Sequence, residues 1–233
     1  MARQAEKTLL VVGAHHDDCE YGACGLILKA VRKGYRVVLT TLAGDHSSWQ
    51  PTAARPDEVR KQLLQLAQDM GVEKRFFHWG YHQVRYNDEG IRALTELAVE
   101  LKPTLSLIHW PHDYWPDHEA AGKLGKHALW FPHGLFRDAK LNTKLLAYEA
   151  GANQTDPAVP FRPDVYVNIS DVMDQVREVI RRIDEIVSGA PVKAPSGHEL
   201  DKAARSRLRG SECGVAYAEA FVALKKWPQE ILT

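Results

Sequence analysis

The sequence predicts one α/β domain: a Rossmann-like, mostly parallel sheet with helices on both faces. Short apolar strand patterns alternate with amphipathic helix patterns along the first half of the chain. The strand patterns are continuous runs, as expected where both faces of a sheet are covered. The chain has 233 residues, 45% of them hydrophobic, and no internal repeat or low-complexity segment divides it. We therefore expect a single domain over residues 1–233.

The first strand is predicted over Thr8–Ala14, a short run of apolar residues. A helix pattern follows over Cys24–Lys33 and ends at Gly34. Tyr35–Leu42 is a second buried-strand pattern, and a polar loop over Gly44–Ala54 comes after it. These segments form one strand–helix–strand unit, the building block of a parallel sheet.

The next two units repeat this order. A charged amphipathic helix is predicted over about Pro56–Met70, and Arg75–Trp79 is the third strand pattern. A helix over Asp88–Leu101 then leads to a fourth strand over Thr104–Trp110. Four strands with intervening helices are thus expected before residue 111.

The second half of the chain is less regular. Residues 145–149 and 164–169 look like further strands, and residues 171–187 carry the apolar stripe of a helix. Residues 188–196 are rich in Pro, Gly and Ala, which predicts a surface loop. From Glu199 onward, the pattern predicts two short amphipathic helices separated by glycines.

Charge and cysteine content exclude several classes of function. Lys and Arg total 30 and so do Asp and Glu, so the chain has no general attraction to phosphate backbones, and nucleic acid is not expected as a partner. Three cysteines, Cys19, Cys24 and Cys213, predict reduced thiols and a cytoplasmic protein. No signal-peptide pattern precedes the first strand, and no apolar run could span a bilayer, so no membrane association is expected.

Two polar clusters follow the first and fourth predicted strands. Residues 15–18 are His-His-Asp-Asp, and residues 111–118 are Pro-His-Asp-Tyr-Trp-Pro-Asp-His. In a Rossmann-like sheet the first and fourth strands are neighbours, and ligands bind beyond their carboxyl ends, where the strand order reverses. We therefore expect the two loops to meet.

The residue types in these loops point to a metal. Two imidazoles and one carboxylate, with a fourth position open, are the usual ligands of catalytic zinc. In the pair Asp17-Asp18 one carboxylate can bind the ion while its neighbour faces a bound water. Taken singly, each residue could be a helix cap or a solvated loop residue, but both clusters together favour a metal site. The first turn also lacks Gly-x-Gly-x-x-Gly, which argues against a dinucleotide enzyme.

Ala14–Glu20 (Ala-His-His-Asp-Asp-Cys-Glu) and Trp115–His118 (Trp-Pro-Asp-His) carry a family resemblance. They resemble the motifs Ala-His-Pro-Asp-Asp-x-Glu and His-Pro-Asp-His of the PIG-L/LmbE family of zinc-dependent N-acetylglucosaminyl deacetylases. Arg55-x-x-Glu58 is similar to the family's Arg-x-x-Glu, and Arg209–Phe221 to its C-terminal signature. The resemblance spans nearly the whole chain.

The resemblance implies a mechanism and a set of site residues. His15, Asp18 and His118 would bind one Zn²⁺ per chain, and other divalent ions are compatible with the same ligands. Asp17 would be the general base that activates the metal-bound water, and Arg55 would contact the substrate. The implied substrate is a small N-acetylated amino sugar or its conjugate. Family members are often oligomeric, which allows a homo-oligomer here.

Two positions depart from the family pattern. His16 replaces the motif's proline, and Trp115 stands where the family has a histidine that steadies the oxyanion. His112 and His16 are the candidates to supply the missing donor, while Trp115 either stacks on the substrate's sugar ring or packs in the pocket wall. Asp117 and Glu219 are predicted to support or line the pocket.

Two alternative functions stay open on the sequence. His-Asp and Asp-His pairs recur, and Gly44-Asp45-His46 follows the second strand, which would suit a metal-dependent phosphoesterase. Such enzymes usually bind two metals, so a metal count and phosphate release would discriminate. With Trp115 at the histidine position, the chain could instead be a catalytically impaired relative that binds a sugar. Release of amine from an N-acetylglucosamine conjugate would separate these cases.

Overall fold

A computed structural model describes residues 7–131, 141–151 and 156–228. It contains a seven-stranded sheet flanked by helices. In chain order the elements are β1 (Thr8–Gly13), α1 (Asp18–Arg32), β2 (Arg36–Thr41), a 3-10 turn (His46–Ser48), α2 (Gln50–Ala53), α3 (Pro56–Asp69), β3 (Glu73–Phe76), α4 (Asp88–Leu101), β4 (Leu105–His109), α5 (Pro116–Trp130), β5 (Lys144–Tyr148), β6 (Val165–Asn168), α6 (Met173–Ser188), α7 (Gly197–Cys213) and β7 (Ala218–Ala223).

The strand order in the sheet is β3-β2-β1-β4-β5-β7-β6. Strands β1 to β5 pair in parallel, and β7 is antiparallel to both of its neighbours. In chain order, β2 and β3 extend the sheet from β1 toward one edge. After α4, β4 and β5 extend it from β1 toward the other edge. The order therefore reverses between β1 and β4, as the sequence predicted. The Rossmann-like α/β fold is confirmed.

Strand β1 is buried along its whole length because helices cover both faces of the sheet. Alternate side chains of a strand point to opposite faces, so β1 contributes to two cores. Leu9 and Val11 pack with side chains of α1 and α6, while Leu10 and Val12 pack with side chains of α4 and α5. Fully burying each such side chain stabilises the fold by roughly 1.5–3 kcal/mol relative to exposing it.

The C-terminal region differs from the prediction. The segment after Glu199 was expected to form two short helices, but it forms the longer helix α7 followed by strand β7. Helix α7 ends at Cys213 and is capped by Gly214, whose φ of +78° is the left-handed conformation that glycine adopts without strain. The buried residues of β7 then pair with β5 on one side and β6 on the other. These contacts are long-range, so local hydrophobic periodicity does not predict them.

The third strand also begins earlier than predicted, at Glu73 rather than Arg75. Within the described ranges, no helix combines the length and apolar character needed to cross a membrane.

Candidate metal and catalytic site

The two polar loops meet at one edge of the sheet. β1 ends at Gly13 and α1 begins at Asp18, so residues 14–17 form a short loop at the carboxyl end of β1. Pro116 opens α5 shortly after β4 and places His118 in the first turn of that helix. Because β1 and β4 are paired neighbours, His15, Asp18 and His118 come together, with one donor atom of each within 4.8 Å of the others.

The three side chains point their donor atoms at one another. His15 Nδ1 lies 3.1 Å from His118 Nε2 and 3.5 Å from Asp18 Oδ2. His118 Nε2 lies 3.3 Å from Asp18 Oδ1. Two ring nitrogens and one carboxylate facing a common point form a donor set that fits a divalent cation, zinc in particular.

A carboxylate stands behind each of the two imidazoles. Asp117 Oδ2 lies 3.1 Å from His15 Nε2 and also accepts the backbone N–H of His82 at 2.7 Å. Asp113 Oδ1 lies 3.3 Å from His118 Nδ1. Each imidazole thus turns one nitrogen toward the cluster and the other toward a carboxylate. Metal-binding histidines are commonly oriented in this way, because the outer carboxylate fixes the ring and makes its free nitrogen more basic.

Asp18 is held in place by two further contacts. Its Oδ2 accepts the backbone N–H of His15 at 2.6 Å and lies 3.0 Å from His109 Nε2. His109, the last residue of β4, is fully buried, and its ring stacks on that of His118 with a centroid distance of 4.4 Å. His109 is a supporting residue that sequence reasoning missed. Its signal was an imidazole at the carboxyl end of a central strand.

The electrostatics of the cluster reflect these contacts. Burial opposes a charge on His15, yet Asp117 and Asp18 raise its pKa to about 9. Burial likewise opposes a charge on His118, but Asp18 and Asp113 raise its pKa to about 10. Burial also works against ionisation of Asp18, but His118 and His109 hold its pKa well below the usual range. The surroundings therefore favour positive charge at the centre of the cluster.

A cavity of about 360 Å³ opens beside the cluster. A pocket of this size can enclose a small ligand such as a sugar ring. Its lining is rich in aromatic and imidazole side chains. The lining residues are His15, His16, Asp17, Asp18, Tyr21, Trp49, Tyr81, His82, Trp115, His118, Ala150, Gly151, His198 and Asp201.

Asp17 lines this cavity next to the cluster. Its side chain is 20% exposed, whereas that of Asp18 is 5% exposed. Burial and the neighbouring charge of Asp18 raise the pKa of Asp17 to about 6. Asp18 thus contributes to the donor cluster, while Asp17 lines the cavity beside it, and the role of Asp17 as general base stays a prediction.

Residues 10–129, more than half of the chain, match the family described as PIG-L: GlcNAc-PI de-N-acetylase. The chain belongs to this family of de-N-acetylases. The predicted resemblance is thus confirmed. A diacetylchitobiose deacetylase from Thermococcus kodakarensis is 28% identical to this PIG-L protein over 193 residues, which cover 75% of this chain and 68% of that relative.

Two solved structures share the fold. The inhibitor-bound N,N'-diacetylchitobiose deacetylase from Pyrococcus horikoshii superposes with a TM-score of 0.77 at 20% identity, covering 93% of this chain and 83% of that one. GalB, the 4-carboxy-2-hydroxymuconate hydratase from Pseudomonas putida, has a TM-score of 0.73 at 20% identity, covering 97% and 100%. One fold carries both a deacetylase and a hydratase, so the activity of this PIG-L protein has to be argued from its site residues.

The two candidates for the missing oxyanion donor, His16 and His112, lie in different surroundings. His16 is buried, hydrogen-bonds through Nδ1 to the hydroxyl of Tyr81, and has its pKa lowered to about 3 by burial and by Lys74. His112 is exposed, its ring packs against Trp110 at 5.2 Å, and it is not among the described residues that line the cavity. His16 is part of the cavity wall, and a donor role for His112 stays a prediction.

Arg55, another predicted site residue, contacts the end of a helix in this PIG-L protein. Arg55 Nη2 donates to the carbonyl oxygens of Ile186 and Val187, near the C-terminus of α6, at 2.7 and 2.6 Å. Favourable interaction of a cation with exposed C-terminal carbonyls explains this position. Substrate contact by Arg55 stays a prediction, and Arg55 is not among the described residues that line the cavity.

Glu219, on β7, caps a break in helix α1. The backbone of Ala23 leaves the helical conformation, and Glu219 accepts the N–H groups of Gly25 and Leu26 at 2.8 Å each. Lys202 Nζ donates to the same carboxylate at 2.6 Å. A pocket role for Glu219 stays a prediction, because within the described ranges it lies outside the cavity lining.

Several aromatic and imidazole side chains of the cavity wall were not predicted from the sequence. Tyr81 stacks on His15 with a centroid distance of 4.6 Å and on Trp49 at 4.8 Å. His82 follows it, while His198 enters from the start of α7. The run Trp79-Gly-Tyr-His, which follows β3 at the same sheet edge, was the available signal for part of this wall.

Proposed function

We propose that this protein is a metal-dependent deacetylase that removes the N-acetyl group from an N-acetylglucosamine-type sugar or conjugate. The observation that carries the proposal is the convergence of His15, Asp18 and His118 beside a sugar-sized cavity lined by Asp17. Membership of the PIG-L family and the diacetylchitobiose deacetylase relative support the substrate class.

His15, Asp18 and His118 would hold the ion, with Asp117 and Asp113 orienting the imidazoles. When bound, a divalent cation polarises the acetyl carbonyl and lowers the pKa of water from near 16 to roughly 7. Two nitrogen ligands and one oxygen ligand favour zinc among the common divalent ions.

Asp17 would act as the general base. Its carboxylate accepts a proton from the attacking water and then passes that proton to the nitrogen of the leaving amine. A base is most effective when its pKa lies near the working pH, and burial beside Asp18 raises the pKa of Asp17 to about 6. The acyl C–N bond breaks, and acetate and the free amine are the products.

The cavity wall suits a sugar ring. Trp115, 43% exposed at the start of α5, offers an aromatic face on which the apolar face of a pyranose can stack. His198 and Asp201 supply polar groups on the α7 side of the cavity. We assign Trp115 to substrate binding for this reason.

The phosphoesterase alternative has less support. The described residues contain two groups of candidate metal ligands, His15/Asp18/His118 and His109/Asp113/His118. They share His118, and neither His109 nor Asp113 is among the described residues that line the cavity. This favours a single accessible ion over the two that such enzymes usually need.

The test is release of acetate and amine from N-acetylglucosamine and from N,N'-diacetylchitobiose by zinc-loaded protein. We expect the two products in equal amounts, loss of turnover on chelation, and recovery on adding zinc back. Asp17→Asn should keep its zinc and lose about a hundredfold to ten-thousandfold in kcat, because the base is gone but the ligands remain.

The matched control is Asp57→Asn, which changes an exposed carboxylate on α3 and should leave kcat unchanged. Near-normal turnover by Asp17→Asn would show that Asp17 is not the base. Phosphate release from a model phosphoester, without acetate release from either sugar, would replace the proposal by the phosphoesterase alternative.

A further inference from the structure

The loop after β3 places a histidine, His82, in the wall of the cavity. Its ring is stacked near that of Trp115, with centroids 6.4 Å apart and planes 22° from parallel, and the Trp115 ring lies 6.3 Å from His118. His82 therefore lies on the Trp115 side of the cavity, where the sequence pattern lacks the expected histidine.

The backbone of His82 is tied to the proposed metal cluster. Its N–H donates to Asp117 Oδ2 at 2.7 Å, and the same oxygen lies 3.1 Å from His15 Nε2. The φ angle of His82 is +60°, a left-handed conformation that costs energy for a residue with a Cβ. Strained backbone of this kind is concentrated at functional sites, where the surrounding structure maintains it. His82 is also one of the residues that line the cavity.

Three other polar side chains around the cavity are already engaged. The hydroxyl of Tyr81 is bonded to His16, and that of Tyr21 donates to Asp184 at 3.1 Å. His198 Nδ1 lies 2.7 Å from the same Asp184 oxygen. Within the described part of the chain, the imidazole of His82 has no hydrogen bond of its own, so its N–H is available to a ligand.

Amide hydrolysis is accelerated by such a donor. As water adds to the acyl carbon, negative charge develops on the acyl oxygen, and a hydrogen bond to that oxygen is stronger in the transition state than in the ground state. Asp17 transfers the proton from the water to the amine nitrogen, so it is not the hydrogen-bond donor to the acyl oxygen.

We infer that His82 is a further catalytic residue, which donates an imidazole N–H hydrogen bond to the acyl oxygen during deacetylation. The inference rests on the proposed function. Water oxygen bonds to the acyl carbon, its proton passes through Asp17 to the amine nitrogen, and the C–N bond breaks. His82 keeps its own proton throughout.

Three variants isolate this role. His82→Gly removes the imidazole, keeps the backbone N–H that Asp117 accepts, and adopts a positive φ without strain. His82→Asn restores a side-chain N–H donor and tolerates the same backbone conformation. Trp115→Phe removes the indole N–H, the other donor on this side of the cavity, but keeps an aromatic ring.

The matched control is His78→Ala. His78 lies in the same loop, is 73% exposed, faces Glu89 at 3.3 Å, and is not among the described residues that line the cavity. It should leave kcat and KM unchanged.

We expect kcat of His82→Gly to fall about a hundredfold to a thousandfold, with little change in KM, as for loss of an oxyanion donor. His82→Asn should recover part of the rate. Added imidazole should accelerate His82→Gly but neither the wild type nor His78→Ala, a result that a structural role does not produce. Zinc content should equal that of the wild type in all variants.

A binding measurement tests the inference separately from turnover. The probe is a glucosamine in which a methylphosphonyl group replaces acetyl, so that a tetrahedral phosphorus carries the negative oxygen. Calorimetry with zinc-loaded protein should show the probe binding about a hundredfold more weakly to His82→Gly than to wild type. Affinity for N-acetylglucosamine should be similar in both.

Equal affinity of the probe for wild type and His82→Gly would overturn the inference while leaving the deacetylase proposal intact. A larger loss of probe affinity in Trp115→Phe than in His82→Gly would assign the donor to Trp115. Loss of zinc from His82→Gly would reduce His82 to a supporting role. Either result rejects the inference. A wild type that neither releases acetate nor binds the probe would reject the proposed function and the role of His82 together.

Discussion

Two groups of histidines lie side by side at the carboxyl edge of the sheet, and they differ in charge. The acidic cluster consists of His15, Asp18 and His118 with Asp113 and Asp117 behind them. The aromatic cluster consists of His16 and His46 with the rings that surround them, Trp49, Phe76 and Tyr81. His15 and His16 are consecutive in the chain, yet they belong to different clusters.

Burial disfavours protonation in both clusters, so the neighbours decide the outcome. Carboxylates raise the pKa of His15 to about 9 and that of His118 to about 10. In the aromatic cluster, burial lowers the pKa of His16 to about 3, with Lys74 contributing, and that of His46 to about 4, with His16 contributing. In these two clusters the candidate metal ligands are His15 and His118, each of which has a carboxylate within 3.3 Å of its outer ring nitrogen.

Among substitutions that test this difference between the two clusters, Asp18→Ala should have the largest effect. This substitution removes the carboxylate that faces both imidazoles, so the proposed donor set falls below three, and the protein should neither retain zinc nor turn over substrate. Elemental analysis after dialysis measures the metal, and circular dichroism checks the fold. Equimolar zinc in Asp18→Ala would contradict the assignment of the ligand set.

Asp117→Asn should have a smaller effect. The amide oxygen can still accept the N–H of His82, but the negative charge behind His15 is lost. Removing such an outer partner typically weakens metal affinity about tenfold to a hundredfold. Competition with a chelator of known affinity measures the change. Glu119→Gln, which alters an exposed ion pair with Lys123 on the same helix, is the control and should leave the affinity unchanged.

The smallest effect is expected in the aromatic cluster. Within the described residues, both ring nitrogens of His46 are buried without a hydrogen-bond partner. His46→Phe should therefore leave zinc content unchanged and alter the free energy of unfolding at pH 7.5 by less than about 1 kcal/mol, since no hydrogen bond is lost.

His46→Phe should also change the pH dependence of stability. The folded-state pKa of His46 is about 4, below the unfolded value of 6.5, so between these pH values the unfolded chain binds the extra proton and the wild type loses stability as the pH falls. The variant should lose less stability over this window. Denaturant unfolding at pH 5 and pH 7.5 measures this, and an identical pH dependence in both proteins would contradict the assigned environment of His46.

Prediction from the sequence succeeded best where local signals were strong. Helix α4 has the predicted bounds, since Asn87 caps its first turn and the apolar stripe is continuous. Helix α3 begins as expected with proline in its first turn. Strand β7 was mistaken for a helix because its pairing partners β5 and β6 lie far away in the chain.

The sequence by itself determined the strand–helix alternation, the family, and the meeting of residues 15–18 with residues 111–118 at one sheet edge. These follow from periodicity and motif spacing, which are properties of short segments. Only the tertiary structure decided which histidine faces which partner, that Arg55 binds helix carbonyls, and that His82 enters the cavity. The physical reason is distance along the chain: His15 and Asp117 are in contact although they are 102 positions apart in the sequence. A local sequence pattern does not show which distant side chains will be in contact after folding.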